Sequence, residues 1–312
     1  MRPAFYFLLV LFLSTVSQNS STQAQHLQFS KLLSRSMTVW LPIPSATNPP
    51  TEPEWFSTLS QEHRDYIEKL LWHWEENSQL KIYQCEFTRW DYSSDFSWRN
   101  PKTNEFTAYR VSSGNIVFAA PDRVLYEITK SWKYGKPEKP NTQPPYDLDD
   151  QESSKERWLF DGQTFSYFDF QNEKVYKARI SNETLKKKTL DMLLPPFIVC
   201  AKADDLLTQY WMRIVTPKET TGEYWIEAIP KLPNIAQQHK KLIFVVSNED
   251  FLLQSLEIYD PSYDQINHQS NKKVYVFKRR QQPTDKTGVA AIKKRLDALT
   301  IPQGWNQLEV GF

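Results

Sequence analysis

Between Gly114 and Ile180 the chain writes out consecutive strands together with their turns: GNIVFAAPDRVLYEI, a polar interruption, then RWLFDGQTFSYFDFQNEKVYKARI. Neighbouring side chains of an extended backbone point to opposite faces, so Val124, Tyr126 and Ile128 share one face of a strand. Asp161-Gly162 is the residue pair a tight hairpin favours, because both central positions of that turn need positive φ. The pattern is an antiparallel meander rich in large apolar groups and poor in the groups that catalysis recruits. Such a sheet must either be a buried core or line a cavity.

Several strands are apolar on both faces: Ile116 and Phe118 with Val117, Trp158 and Phe160 with Leu159, Leu242 and Phe244 with Ile243 and Val245. A strand of that kind is covered on both sides. A plain sandwich core satisfies the pattern, and so does a curved sheet with helix on one side and a cavity on the other. The fold class expected is α+β.

The flanking segments place this sheet in the chain. Residues 26 to 53 contain WLPIPSATNPPTEPE, a run dense in proline that suits an extended tether, so folding starts near Glu54. From Leu59 to Trp74 the apolar positions Leu59, Tyr66, Ile67, Leu70, Leu71 and Trp74 have helical spacing, with Ser57, Thr58 or Ser60 as N-cap. Strands are expected over Leu80 to Tyr92, Glu105 to Val111 and Asn115 to Ala120, and the charged, proline-containing residues 131 to 156 are expected to form a surface insert. Pro195-Pro196 separates two short helical stretches. Five strands follow: Tyr210 to Val215, Glu223 to Ile229, Lys241 to Ser247, Leu252 to Tyr259 and Lys273 to Arg279. Asn248-Glu249-Asp250 is a short hairpin connection and KLPNIAQQHK a longer loop. Residues 289 to 298 suit a short basic helix, and the tail IPQGWNQLEVGF a last edge strand.

At the N-terminus, Arg2 precedes an apolar run from Ala4 to Leu13 and then small and polar residues through Gln25. That run spans about half of a hydrocarbon core, which is the shape of a signal peptide, with cleavage expected after Ala24. The organisation is thus residues 1–24 as signal peptide, 25–53 as tether and 54–312 as one domain with an insert at about 131–156. The mature chain is expected in the periplasm or outside the cell, and is not expected to be an integral membrane protein. In an oxidising compartment Cys85 and Cys200 could pair, although both lie in apolar sequence that equally suits buried free thiols.

The charges exclude one class of partner: 38 basic and 37 acidic residues are scattered without a basic stripe, so nucleic acid is a poor candidate. No glycine-rich phosphate loop, GxSxG elbow or HExxH pair occurs, and no cofactor is expected. The five histidines, His26, His63, His73, His239 and His268, lack metal-pair spacing, and two cysteines make a structural zinc site improbable. His63 and His73 suit solvated helix positions. Of the carboxylate pairs, Asp149-Asp150 is expected to be solvated in the insert and Asp204-Asp205 to cap the helix that follows. Neither spacing predicts two carboxylates facing each other across a sugar, so no enzyme is expected.

Residues 80 to 216 resemble the periplasmic lipoprotein carriers, the LolA-like group, and especially its uncharacterised secreted planctomycete branch. The matching features are the opening helix, CEFTRWDYSSDF, GNIVFAAPDRVLYEI, WLFDGQTFSYFD and LLPPF, followed by VTPK, SNEDFLLQSLEIYD and IPQGW in carrier order. The resemblance implies an incomplete antiparallel barrel closed by helices, whose concave apolar surface holds lipid acyl chains. Carriers of this kind have a latch arginine before the proline of their corresponding motif; here that position is Ala120. The expected function is non-catalytic binding of an acyl chain, lipid or lipidated partner. The expected lining is Tyr83, Phe87, Phe118, Val124, Tyr126, Trp158, Phe160, Phe168, Tyr176, Met212 and Ile226. A secreted structural or interaction module without bound lipid is the alternative, and a secreted hydrolase ranks below it.

Overall fold

The computed structural model describes residues 50–78, 82–120, 122–135, 145–180, 202–264 and 271–310. The signal segment and nearly all of the tether lie outside them. The described chain opens with two helices, α1 (Glu54–Thr58) and α2 (Gln61–Ser78). On α2 the helical spacing of Ile67, Leu70, Leu71 and Trp74 makes one buried stripe. Of the three N-cap residues considered, Ser60 serves: its Oγ accepts from the His63 backbone N–H at 3.3 Å. Tyr66 lies off the stripe and is 47% exposed.

Thirteen strands follow in one sheet. They are β1 (Ile82–Tyr92), β2 (Arg110–Ala119), β3 (Arg123–Tyr134), β4 (Tyr146–Asp149), β5 (Glu156–Asp161), β6 (Thr164–Asp169), β7 (Lys174–Arg179), β8 (Tyr210–Ile214), β9 (Glu223–Pro230), β10 (Lys241–Ser247), β11 (Leu253–Tyr259), β12 (Lys272–Gln281) and β13 (Asn306–Val310). Among the described residues three more α-helices punctuate them, α3 (Ala203–Gln209), α4 (Pro233–Ala236) and α5 (Lys286–Asp297), with a 3-10 turn at Glu152–Ser154. The strand order is β13-β7-β6-β5-β3-β2-β1-β12-β11-β10-β9-β8, with β4 added on β3. The two ends of this order do not pair, so the sheet is strongly curved but open. It is the incomplete antiparallel barrel with helical cover that the LolA-like resemblance implies. Two meanders, β1 to β7 and β8 to β12, meet at the seam where β1 pairs with β12.

Several local expectations are corrected. Residues 105 to 111 are not a separate strand: Phe106 makes only a single bridge to Arg99, and the backbone from Arg110 runs unbroken through Ser112-Ser113-Gly114 to Ala119. The glycine marks a register shift against β3 rather than a turn. The insert is shorter than its composition suggests, because Ser131–Tyr134 extends β3 and Tyr146–Asp149 pairs with that extension. Polar side chains do not oppose a strand whose partner is already in place. In the β5–β6 hairpin the two connecting residues are Gly162 and Gln163, and only Gly162 has positive φ, +96°. Asp161 instead stands just before them, its Oδ1 accepting from Gln163 and Thr164 N–H at 2.9 and 2.7 Å. Asp204 and Asp205 lie in the first turn of α3 rather than at its cap, which is Lys202. The tail does form an edge strand, yet β13 runs parallel to β7.

Both faces of the central strands are covered, as their composition requires. On the inner face one contiguous core joins side chains of α2, α3 and nearly every strand. On the outer face Ile82, Val117, Ala119 and Leu125 pack against Ile292 and Leu296 of α5. The helix is held there by Arg295 on Glu127 at 2.9 Å and by Arg123 on Asp297 at 2.7 Å. Within the sheet, β2 can lie this close to β3 only because residue 114 has no side chain. A Cβ there would stand 1.9 Å from the Glu127 carbonyl oxygen and 2.7 Å from the Phe87 ring. Gly114→Ala is therefore expected to lower unfolding free energy by about 2 kcal/mol or more in a denaturant titration. An unchanged midpoint would show that the two strands can part without loss.

Candidate functional site

The two-residue alternation of β1 places Tyr83, Cys85, Phe87, Arg89 and Asp91 in a single row on the inner face, all buried. The row changes character after Phe87. The same change recurs on the neighbouring strands: Phe277 and Tyr275 give way to Lys273 on β12, Phe160 and Trp158 to Glu156 on β5, and Leu256 and Ile258 to Asp260 beyond β11. These transitions all occur toward one end of the sheet, since Tyr92, Lys272, Glu156 and Asp169 lie at that end of their strands. The inner face is thus amphipathic along the strand direction, aromatic over most of its length and ionic at one end.

The boundary is built from a stack. The rings of Phe87 and Tyr126 lie 5.0 Å apart at 20°, and Tyr126 and Trp158 lie 4.3 Å apart at 13°, crossing β1, β3 and β5. Arg89 lies against the end of this stack. Its Nε donates to Asp91 Oδ2 at 3.2 Å, and its Nη1 donates to Tyr126 Oη at 3.2 Å and Glu156 Oε2 at 3.5 Å. Burial alone would lower the guanidinium's pKa, but Asp91 foremost, with Tyr126, Tyr275 and Glu156, holds it well above its ordinary value. Burial likewise pushes the Tyr126 hydroxyl well above the usual phenol range and raises that of Tyr275.

Beyond Arg89 lies a cleft of about 420 Å³. Its floor is Arg89, Asp91, Arg110, Ile128, Glu156 and Lys273. Tyr167 and the β6–β7 turn from Asp169 to Asn172 form one wall, and Ile258, Asp260 and Asn271 form the other. Strands from both meanders therefore face one another across it, which is how the curvature of the sheet is expressed locally. Among the described residues no group of three or more histidine, cysteine, aspartate or glutamate side chains is placed to hold a metal ion.

All the expected lining residues are buried, at 5% exposure or less. Tyr83, Phe87, Phe118, Val124, Tyr126, Trp158, Phe160, Tyr176, Met212 and Ile226 belong to the inner-face core, packed with α2 and α3. None of them lines the cleft. Phe168 is corrected: it pairs with Arg157 in the register, on the opposite face from Trp158 and Tyr167, and its ring meets the Arg157 guanidinium and Trp305 outside. The error is one of parity, since Phe165 and Tyr167 rather than Phe168 share the inner side of β6.

Sequence reasoning missed Arg89, Asp91 and Lys273, although the two-residue period that selected Tyr83 and Phe87 continues straight into the first two. Asp149 is likewise buried rather than solvated, paired with Lys133 at 3.1 Å. Cys85 is a buried free thiol whose pKa burial pushes up to about 12. Cys200, and with it the pairing considered above, lies outside the described residues.

No protein-family model matches the chain, and no curated protein does. Solved structures do show a likeness. An uncharacterised conserved protein of Thermus thermophilus aligns at TM-score 0.39 and 7% identity, over 79% of this chain and 98% of that one. A LolA superfamily protein of Nitrosomonas europaea aligns at 0.29 and 9%, over 71% and 96%. A chain of the Pseudomonas aeruginosa MucA/MucB complex aligns at 0.33 and 12%, over 72% of this chain and 60% of that one. At these scores nothing about function passes from those proteins to this chain.

Next to Gln238 at the cleft wall, His239 is fully buried, its ring parallel to Tyr210 and its Nε2 3.2 Å from the Tyr210 hydroxyl. Burial pushes its pKa from 6.5 down to about 3, so the folded state holds it neutral. Between those values the unfolded chain binds more protons, and stability falls with falling pH. The contribution is intact above pH 6.5 and is lost toward pH 3, at up to about 1.4 kcal/mol per pH unit. Denaturant titrations from pH 7 to pH 4 should show this slope, and His239→Asn should flatten it. An equal slope in the variant would assign the acid sensitivity to other groups.

Proposed function

We propose that the inner face of this sheet takes up an apolar ligand, an acyl chain of a lipid or of a lipidated partner, outside the cytoplasm and without catalysing a reaction. The observation that carries this reading is the nature of the cover. A continuous aromatic and aliphatic wall drawn from both meanders is closed by the helices α2 and α3 rather than by a second sheet. The wall's own hydrogen bonds run between strands, so a helix can be lifted without breaking the sheet.

Magnitudes favour exchange of cover for ligand. Removing the four buried side chains of α2, Ile67, Leu70, Leu71 and Trp74, from the core costs about 6–12 kcal/mol at roughly 1.5–3 each. An acyl chain of about sixteen carbons regains about 12 kcal/mol at ~0.8 per CH₂. The two are of the same size, as a binding surface that closes on itself when empty requires. The apolar run from Ala4 to Leu13 supports export.

Native mass spectrometry of the exported protein, followed by organic extraction, is expected to recover lipid in stoichiometric amount or, for empty protein, saturable uptake of a fluorescent fatty acid that quenches tryptophan emission. Protein that is both lipid-free and unable to take up the probe would leave the inner face as core alone.

A further inference from the structure

Across three strands at the ionic end of the inner face, side chains stand in a register row. Asp91 of β1 is directly opposite Arg110 of β2 on one side and Lys273 of β12 on the other. Directly opposite residues on one face have Cβ atoms about 4.5–5.5 Å apart. The order of charge across the row is therefore plus, minus, plus, and all three residues line the 420 Å³ cleft.

Three features leave this row unsatisfied. Asp91 is 4% exposed, and its Oδ1 has no hydrogen-bond partner although Oδ2 holds Arg89. Neither Arg110 nor Lys273 makes a side-chain hydrogen bond or ion pair among the described residues, although the other cations on the cleft do: Arg89 with Asp91, Lys155 with Glu152, Lys272 with Glu257. Burial also lowers the Lys273 ammonium, while Asp91 opposes that effect. A buried acceptor left unmade costs about 1–3 kcal/mol, so such an atom beside a cleft marks where a donor belongs.

The charge balance of the lining decides what kind of group fits. The cations are Arg89, Arg110, Lys155, Lys272 and Lys273, and the anions are Asp91, Glu152, Glu156, Asp169 and Asp260, so the cleft is electroneutral overall. A simple anion drawn to Arg110 or Lys273 would meet Asp91 between them, and a simple cation drawn to Asp91 would meet both flanking cations. A group carrying both signs a few ångströms apart satisfies the row. We propose that the cleft recognises a zwitterionic group, its primary ammonium donating to Asp91 Oδ1 and its phosphate or carboxylate accepting from Lys273 or Arg110. Resting on the acyl-chain reading, the assignment makes this cleft the seat of a lipid headgroup, since it adjoins the Phe87–Tyr126–Trp158 stack on the same face. The same chemistry is offered by free phosphoethanolamine.

The test uses the full mature chain loaded from mixed micelles with dioleoyl lipids that differ only in headgroup. Phosphatidylethanolamine should be retained about tenfold over phosphatidylglycerol and diacylglycerol, a difference of about 1.4 kcal/mol. Phosphatidylcholine should fall below phosphatidylethanolamine, because its quaternary nitrogen donates no hydrogen bond. Lys273→Met and Asp91→Asn should each remove the preference. Arg110→Gln, further from the Arg89 pair, serves if Asp91→Asn fails to fold. Equal retention of all four lipids would overturn the headgroup assignment and leave acyl binding standing. Calorimetric binding of free phosphoethanolamine with no lipid retained would uphold the cleft and remove its lipid source. Binding of neither overturns the assignment.

Discussion

A guanidinium buried beneath an aromatic stack is tolerable only where its charge and donors are met, and Arg89 is the point on which the inner face depends. Two carboxylates and a phenol hydroxyl converge on it, from β1, β3 and β5. Removing one partner of such a cluster would strand the others away from water at a cost of about 3–5 kcal/mol. The cluster therefore fixes where apolar wall ends and ionic floor begins. Because the strands carry side chains with a period of two, the boundary on β1 is transmitted by register to β2, β3, β5 and β12 without any further device.

The two covers of the sheet differ in kind, and the difference bears on function. On the outer face α5 contributes Ile292 and Leu296 and is pinned by Arg295 on Glu127 and Arg123 on Asp297. Glu127 also holds Arg157 at 3.2 Å, so the helix is tied into the strand network. On the inner face the contacts of α2 described include Trp74 stacked on Phe244 at 5.3 Å and the exposed His73 edge-on to Phe251 at 4.7 Å. Its Glu75 accepts from the backbone N–H of Ala203 on α3, at 2.8 Å, which links the two inner helices to each other. Lifting α5 would require its two ion pairs to be given up together with its packing.

Much of the sheet is legible in the sequence because alternation and turn chemistry are local signals. Lys241–Ser247 and the strands on either side of Asp161-Gly162 show this directly. The two-sided cover of Val117 and Leu125 is also legible, since a strand without a polar face has no other solution. What is not legible depends on partners distant in sequence. Ser112-Ser113-Gly114 falls between two expected strands until β3 is laid beside it, and Asp149 reads as solvated until Lys133 reaches it from the neighbouring strand. Phe168 reads as lining because an aromatic run, Phe165 to Phe170, hides its own parity, and only pairing with β5 assigns the faces. Arg89 and Asp91 continue the alternation of β1, but Lys273 meets them from the other end of the domain, and no spacing within the chain announces that meeting.

The seam between the two meanders has a consequence for how the molecule is made. It joins Gln84 to Gln281, 197 residues apart, and the parallel edge joins Lys177 to Gln307 across 130. Each meander can zip locally, but the aromatic wall becomes continuous only once nearly the whole chain has emerged, and loop closure over such separations is slow. Until then each half presents a greasy flank and an open strand edge to whatever lies nearby. A chain of this topology spends its vulnerable interval after synthesis, and its escape from aggregation rests on how quickly β12 finds β1.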